Sequence, residues 1–205
     1  MVHLSMYKQT IFLFCLLTSI LSVAQDGEDL FSMLDTPIEA PPLLPERMMV
    51  TQKLLWGEKG ILRTSGIAPL TMEQRQKELK LRRTLLTTHQ VLGYTTLAAM
   101  VAQGIIGGKL YNGDNSLYQL HKDMGTAVNI GYFTTAGLSL FAPPPLINKK
   151  VKGFSSIKAH KTLATVHFSA MLVTNIYKDK NRDIHKSAAY TAFGSYAMAV
   201  LVFKF

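Results

Sequence analysis

The chain has almost no cysteine. Among 205 residues the single example is Cys15, in an apolar N-terminal stretch that lacks a lipid-attachment motif. If that stretch is removed as a signal, the mature chain has no thiol. Disulfides, iron–sulfur clusters, cysteine nucleophiles and covalently attached c-type haem are then excluded. Any redox chemistry must come from a cofactor held by other ligands.

Acidic residues are also scarce where a metal site would need them. The chain has 13 Asp and Glu against 22 Lys and Arg, a formal net charge of +9. Asp123 and Asp183 lie at the edges of long apolar runs, whose interiors hold almost no carboxylate. A bare zinc or di-iron site is therefore not expected. The basic residues cluster between apolar runs, which is typical of membrane-span ends, so no nucleic-acid binding is predicted.

The N-terminus has the features of a secretory signal. Lys8 provides a positive start, Ile11 to Leu21 an apolar middle, and Ser22-Val23-Ala24 the small residues that signal peptidase needs. We predict a signal peptide over residues 1–24. An uncleaved membrane anchor is the alternative, and it would leave the following residues on the same side of the membrane.

Residues 25–70 are predicted to form an extracytoplasmic arm. The segment begins acidic and continues through the Pro-rich PIEAPPLLPE to MMVTQKLLWGEKGILR. The last stretch suggests an amphipathic surface helix interrupted at Gly57 and Gly60, with Trp56 as an interfacial anchor. The arm is too short and too rich in proline to build its own core, so only short helices are expected.

Residues 71–205 are predicted to form an all-α, four-helix transmembrane bundle. Hydrophobic residues make up 48% of the chain and the mean hydropathy is +0.15. Thr71 is a candidate N-cap, the prolines at 143–145 should end the second span, and residues 178–183 link the last two spans as antiparallel neighbours. Each run can cross a hydrocarbon core of about 30 Å. The predicted spans are 85–108, 120–141, 157–177 and 184–203.

A histidine motif opens each predicted span. The four motifs are HQVLG at 89–93, HKDMG at 121–125, HKTLA at 160–164 and HKSAA at 185–189. In an antiparallel bundle, His89 and His160 lie near one membrane surface, and His121 and His185 near the other. Two facing imidazoles are the axial ligands that a six-coordinate haem iron requires. The residue four positions on shares the helical face, so Gly93, Gly125, Ala164 and Ala189 would leave room for the flat macrocycle.

The third span offers a second candidate ligand. His167 lies seven residues after His160, on nearly the same face and two turns deeper. Either histidine could pair with His89, and the motif pattern and depth favour His160. His167 would then lie between the haems or hydrogen-bond a threonine on a neighbouring helix.

These four motifs, in order and place over residues 85–203, resemble the transmembrane core of the cytochrome b561 family, of the ferric-reductase-like and DOMON-associated type. The resemblance implies two non-covalent haem b groups, one between the first and third helices and one between the second and fourth. It implies electron transfer across the bilayer, with ferric reduction and quinol oxidation as candidate oxidoreductase activities, and no residue for bond-making catalysis. The family's flanking helices and soluble redox domain have no counterpart here, and residues 25–84 match nothing in it.

Localisation and partners follow from this interpretation. We predict a multi-pass protein of a bacterial inner membrane with a periplasmic arm, although more Lys and Arg flank the outer span ends than the inner ones, the reverse of the usual bias. The electron donor and acceptor are not identified by the sequence. A quinol or a periplasmic redox protein is a candidate partner, and a homodimer is a candidate assembly. The rival function is a haem-free membrane scaffold or assembly subunit.

Overall fold

The computed structural model describes residues 42–147 and 155–202, which belong to one compact unit. The regular elements in this part of the chain are all helical, so the predicted all-α class is confirmed. The predicted signal peptide at 1–24 lies outside the described residues, as do the acidic start of the arm and the first half of its Pro-rich piece.

The described part of the arm contains two short helices. Helix α1 spans Val50–Trp56 and helix α2 spans Ile61–Thr64. The interruption falls between Gly57 and Gly60, where the sequence predicts it.

Four longer helices follow. Helix α3 begins after Thr71, whose side chain accepts a hydrogen bond from the Gln74 backbone N–H, as predicted for an N-cap. It continues without a break through the basic stretch and the apolar run, over 40 residues. Helix α4 is followed by the three prolines. The bounds are Met72–Tyr111 for α3, Tyr118–Leu140 for α4, Ser156–Tyr177 for α5 and Arg182–Leu201 for α6.

The four helices form two antiparallel hairpins. Helices α3 and α4 pack closely, as do α5 and α6, and the hairpins meet mainly where α3 approaches α6. The diagonal pairs, α3 with α5 and α4 with α6, lie across the bundle from each other. The core at mid-height is apolar and aromatic; its buried members are Met100, Val128, Tyr132, Ala170, Met171, Ala192 and Tyr196.

The arm caps the C-terminal end of α4. A helix end leaves carbonyl groups without intrahelical donors, and the prolines that follow have no N–H to supply one. Gln52 donates to the Ala142 carbonyl over 3.1 Å, and the Trp56 indole N–H donates to the Phe141 carbonyl over 3.0 Å. The prediction of Trp56 as an interfacial anchor is wrong: the ring is 8% exposed because it packs against this helix end.

A buried charge network joins the arm to the start of α3. Glu78 binds both Arg63 and Arg75, and all three side chains are at most 4% exposed. Arg75 also donates to the carbonyls of Leu43 and Pro144. The arm, the first turns of α3 and the proline segment are therefore held at one end of the bundle.

Helix α3 is the one helix in the described residues whose length and apolar composition suffice to cross a membrane. Helices α4, α5 and α6 have 23, 22 and 20 residues, long enough for a bilayer core. Their apolar runs are interrupted by lysine, histidine, asparagine and threonine. One helix, α3, therefore supports association of the protein with a membrane.

Candidate cofactor-binding sites

The first histidine pair lies across one diagonal of the bundle. His89 on α3 and His160 on α5 have ring centroids 6.3 Å apart, and their ring planes are nearly perpendicular at 82°. Both side chains are half-buried. The structure therefore brings together the two residues that the sequence pairs near one surface.

The second pair repeats this geometry on the other diagonal. His121 on α4 and His185 on α6 have ring centroids 6.2 Å apart, with an angle of 80° between planes. Both are half-buried. Two pairs with nearly equal spacing and angle thus lie near opposite ends of one bundle.

In three of the four histidines, Nδ1 contacts a backbone carbonyl of the neighbouring helix in the same hairpin. His89 Nδ1 lies 2.8 Å from the Thr135 oxygen, His160 Nδ1 3.0 Å from the Ala199 oxygen, and His185 Nδ1 2.9 Å from the Thr174 oxygen. A carbonyl only accepts, so each Nδ1 carries the proton and donates it. This tautomer places the ring lone pair on Nε2, the arrangement usual for a metal-ligating histidine.

His121 differs from the other three. Its ring contacts the Gln103 side chain, whose Nε2 lies 3.1 Å from Nδ1 and donates to the His121 backbone oxygen over 2.9 Å. Gly107, one turn further along α3, lies against the same ring: a Cβ there would stand 2.8 Å from His121 Cε1. His121 is therefore positioned by a side chain and a glycine of α3.

A constant spacing of 14 residues relates the two sites along every helix. Thr135 lies 14 positions after His121, Thr174 after His160, Ala199 after His185 and Gln103 after His89. Each helix thus supplies a histidine to one site and, 14 residues later, a contact to a histidine of the other. At 1.5 Å per residue the two levels are about 21 Å apart along the helix axes.

The residues four positions after each histidine pack against protein groups. A Cβ on Gly93 would lie 3.6 Å from the Tyr196 hydroxyl, and one on Gly125 would lie 3.1 Å from the Gln103 Nε2. Ala164 and Ala189 are half-buried. Gly125 therefore allows the close approach of Gln103, whereas a Cβ on Gly93 would be in ordinary contact with Tyr196. Room for a macrocycle stays a prediction.

His167 lies away from both pairs, in the core between them. It is 9% exposed, its Nδ1 is 2.6 Å from the Tyr132 hydroxyl, and its ring centroid is 5.0 Å from that of Tyr196. The expected threonine partner is thus replaced by Tyr132. His160, and not His167, faces His89.

Sequence reasoning missed the groups that orient the imidazoles. These are the carbonyls of Thr135, Thr174 and Ala199, and the side chains of Gln103 and Tyr132. Nothing in a single sequence marks a backbone oxygen as a partner.

Residues 42–147 and 155–202 contain no cluster of three or more His, Cys, Asp or Glu that could hold a bare metal ion. We then compared the chain with protein-family models, with curated proteins and with solved structures. None of the three comparisons gave a match. The family resemblance therefore rests on the four histidine motifs alone.

Proposed function

We propose that the protein is a membrane di-haem b-type cytochrome that passes electrons across the bilayer between a reductant and an acceptor on opposite faces. The observation that carries the proposal is the duplicate histidine pair. Both pairs have the same spacing and angle, and each lies on a bundle diagonal at its own end. A lone interfacial histidine has no reason to face another; two such pairs with matching geometry are typical of bis-imidazole ligation.

The pair spacing fits an iron atom between the rings. A metal–nitrogen bond of about 2.0 Å on each side, added to the distance from each nitrogen to its ring centre, puts two trans imidazole centroids roughly 6 Å apart. The pairs measure 6.3 and 6.2 Å. Each pair would supply two imidazole ligands to the iron of one haem b.

The orientation of the rings supports the same assignment. The Nδ1–H bonds of His89, His160 and His185 to backbone carbonyls fix the Nε2 lone-pair tautomer. Such bonds also hold the ring plane and increase the basicity of a ligating histidine. Haem b at each pair would supply one-electron oxidation and reduction at its iron.

The bundle surface favours a transmembrane placement of α3 to α6. Large apolar side chains face outward on each helix, among them Ile105, Ile130, Ile176 and Met198, each more than half exposed. In water such a surface would be costly, whereas in lipid it is the expected one. We place α3, α4, α5 and α6 across the bilayer, with one histidine pair near each face.

The core residues between the two histidine pairs would keep the path of the electron apolar. Met100, Met171, Tyr132 and Tyr196 fill the bundle between the two levels and exclude water from it. Tyr132 and His167 satisfy each other by a hydrogen bond, so neither leaves an unpaired polar group in the core.

The test is the haem content of the purified chain. We expect two haems per chain, with the sharp reduced absorption bands of bis-histidine haem b. His121→Ala and His185→Ala should each leave about one haem, since each removes a ligand of the same pair. Unchanged haem content in both variants would exclude the second site.

A matched pair of variants separates the two candidate ligands of α5. His160→Gln removes a ring that faces His89, so about one haem should remain. His167→Gln removes a ring that contacts Tyr132, so two haems should remain. The opposite result would assign the ligand to His167.

A haem-free scaffold is the second candidate, favoured by one observation. The same Nδ1 contacts tie neighbouring helices together within each hairpin, a purely structural use of histidine. A colourless preparation from haem-replete cells would select this function.

A further inference from the structure

The position that orients each imidazole is occupied in three cases by a backbone carbonyl and in one case by a side chain. Thr135, Thr174 and Ala199 present their carbonyls to His89, His185 and His160. The equivalent position for His121 is Gln103, 14 residues after His89. A backbone carbonyl cannot be altered by evolution or mutation, but a glutamine can.

The fit of Gln103 to His121 requires two glycines. The imidazole lies over Gly107, one turn after Gln103, and the amide lies over Gly125, one turn after His121. A Cβ at Gly107 would be 2.8 Å from the His121 ring, and one at Gly125 would be 3.1 Å from the Gln103 Nε2. A larger residue at Gly107 would force the ring to move, and one at Gly125 would require a small shift of the Gln103 amide.

The present amide orientation does not suit metal ligation. The Gln103 Nε2 lies 3.1 Å from His121 Nδ1 and 3.4 Å from His121 Nε2, a position over the ring face, and not in line with the Nδ1 lone pair. The amide nitrogen is only a donor, so it cannot accept the Nδ1 proton that the other histidines give to carbonyls. Meanwhile the Gln103 Oε1 is buried, and among the described residues it has no hydrogen-bond partner.

We propose that Gln103 is the positioning residue of the second site, and that the His121 ring and the Gln103 amide turn together when His121 Nε2 binds iron, so that Gln103 Oε1 accepts the His121 Nδ1–H. This movement gives up the 2.9 Å hydrogen bond from Gln103 Nε2 to the His121 backbone oxygen. It provides the buried Oε1 with a donor and His121 with the tautomer that the other three histidines already have. The inference rests on the proposed haem function. It makes the second site, and only that site, adjustable through one side chain.

The test measures the midpoint potential of each haem in Gln103→Glu and Gln103→Leu. A carboxylate accepts the Nδ1 proton more strongly than an amide, makes the imidazole a better electron donor and favours ferric iron. We expect Gln103→Glu to lower the potential of one haem and Gln103→Leu to raise that of the same haem. At a fixed ambient potential, each should change the oxidised-to-reduced ratio about tenfold, or about 59 mV for one electron.

Gln119→Leu is the control, because Gln119 is exposed on the same end of α4 and bonds only to Asp123 among its described neighbours. It should leave both potentials unchanged. Two haems with unmoved potentials, or shifts of the same sign in both Gln103 variants, would overturn the inference while the haem function stands. Equal loss of one haem from both variants would assign Gln103 to packing and also overturn it. A wild-type protein without haem would refute the haem function itself.

Discussion

At the scale of single residues, glycine decides how closely two helices bring their functional side chains. Gly107 and Gly104 lie one turn apart on α3 and differ only in what faces them. Gly107 faces the His121 ring, whereas the space beside Gly104 is open for at least 4 Å. The same substitution should therefore have opposite consequences at the two positions.

We predict that Gly107→Ala displaces the His121 ring. The added Cβ would approach Cε1 within a packed hairpin, and such overpacking typically costs about 1–3 kcal/mol. Haem content should fall towards one per chain, and the thermal unfolding temperature should decrease. Gly104→Ala should keep two haems and change stability by at most about 1 kcal/mol, in the stabilising direction. Equal behaviour of the two variants would contradict the close contact between Gly107 and His121.

The tautomer of each histidine is also set residue by residue. Backbone carbonyls do this for His89, His160 and His185, whereas the His121 ring contacts the Gln103 side chain instead. The four motifs look equivalent in the sequence, yet their surroundings are not. Under the proposed haem function, this difference makes the second site the place where a single substitution would alter ligand strength.

At the scale of elements, the attachment of the arm to the bundle depends on a buried ion cluster. Glu78 lies between Arg63 of α2 and Arg75 of α3, and its side chain is 1% exposed. Glu73, on the preceding turns of α3, pairs with Lys77 at the surface and is 78% exposed. The two carboxylates provide a matched comparison of buried and exposed pairing on one helix.

We predict that Glu78→Gln weakens this end of the bundle strongly, because it leaves two buried guanidinium groups without a counter-charge. Breaking a buried pair from one side typically costs about 3–5 kcal/mol. Limited proteolysis should then cleave residues 42–70 faster, and the unfolding temperature should fall. Glu73→Gln should change stability by no more than about 1 kcal/mol, since exposed pairs contribute little. Similar protease resistance in both variants would show that the cluster does not hold the arm.

The C-terminal end of α4 provides free carbonyl groups to which other segments bind. Three prolines stop the helix and expose carbonyls that have no local donors. The arm supplies two of those donors through Gln52 and Trp56, and Arg75 of α3 supplies another. The segment that the sequence assigns to the membrane surface is thus bound to the bundle end by polar contacts.

At the scale of the whole molecule, the two short links lie at one end of the bundle and the arm lies at the other. Arg182 donates to the carbonyls of Leu110 and Tyr111, and the Tyr111 hydroxyl donates to Asp183, which joins the two links. Arg75 joins the arm end to Pro144. If the bundle crosses a bilayer, the two ends face opposite compartments.

We predict the labelling pattern that follows from this arrangement. In a Cys15→Ser background, single cysteines at the exposed Asn112 and Asp179 should react with an impermeant thiol reagent from one side of sealed vesicles. A cysteine at the exposed Ser65 should react from the other side. Labelling of all three from the same side would show that α3 to α6 do not cross the membrane. The experiment also fixes the orientation, which charge distribution and the predicted signal leave in conflict.

The sequence by itself determined the helical class, the extent of the four long helices and three of the four paired histidines, and it favoured His160 over His167 as the fourth. Helix lengths follow from apolar runs and their breakers, because hydrogen bonding within a helix is local. Antiparallel connection by short links then fixes which motifs share an end of the bundle. These inferences require only the order of the motifs along the chain, and no distance between atoms.

Only the tertiary structure decided which atoms orient the rings, and where Trp56 and His167 lie. The partners of His89, His160 and His185 are backbone oxygens, which every residue carries, so no residue type could mark them. Trp56 is buried because α4 ends beside it, and His167 bonds Tyr132 because their helices meet at that height. These contacts depend on the rotation and height of one helix against another, which packing of the whole bundle sets.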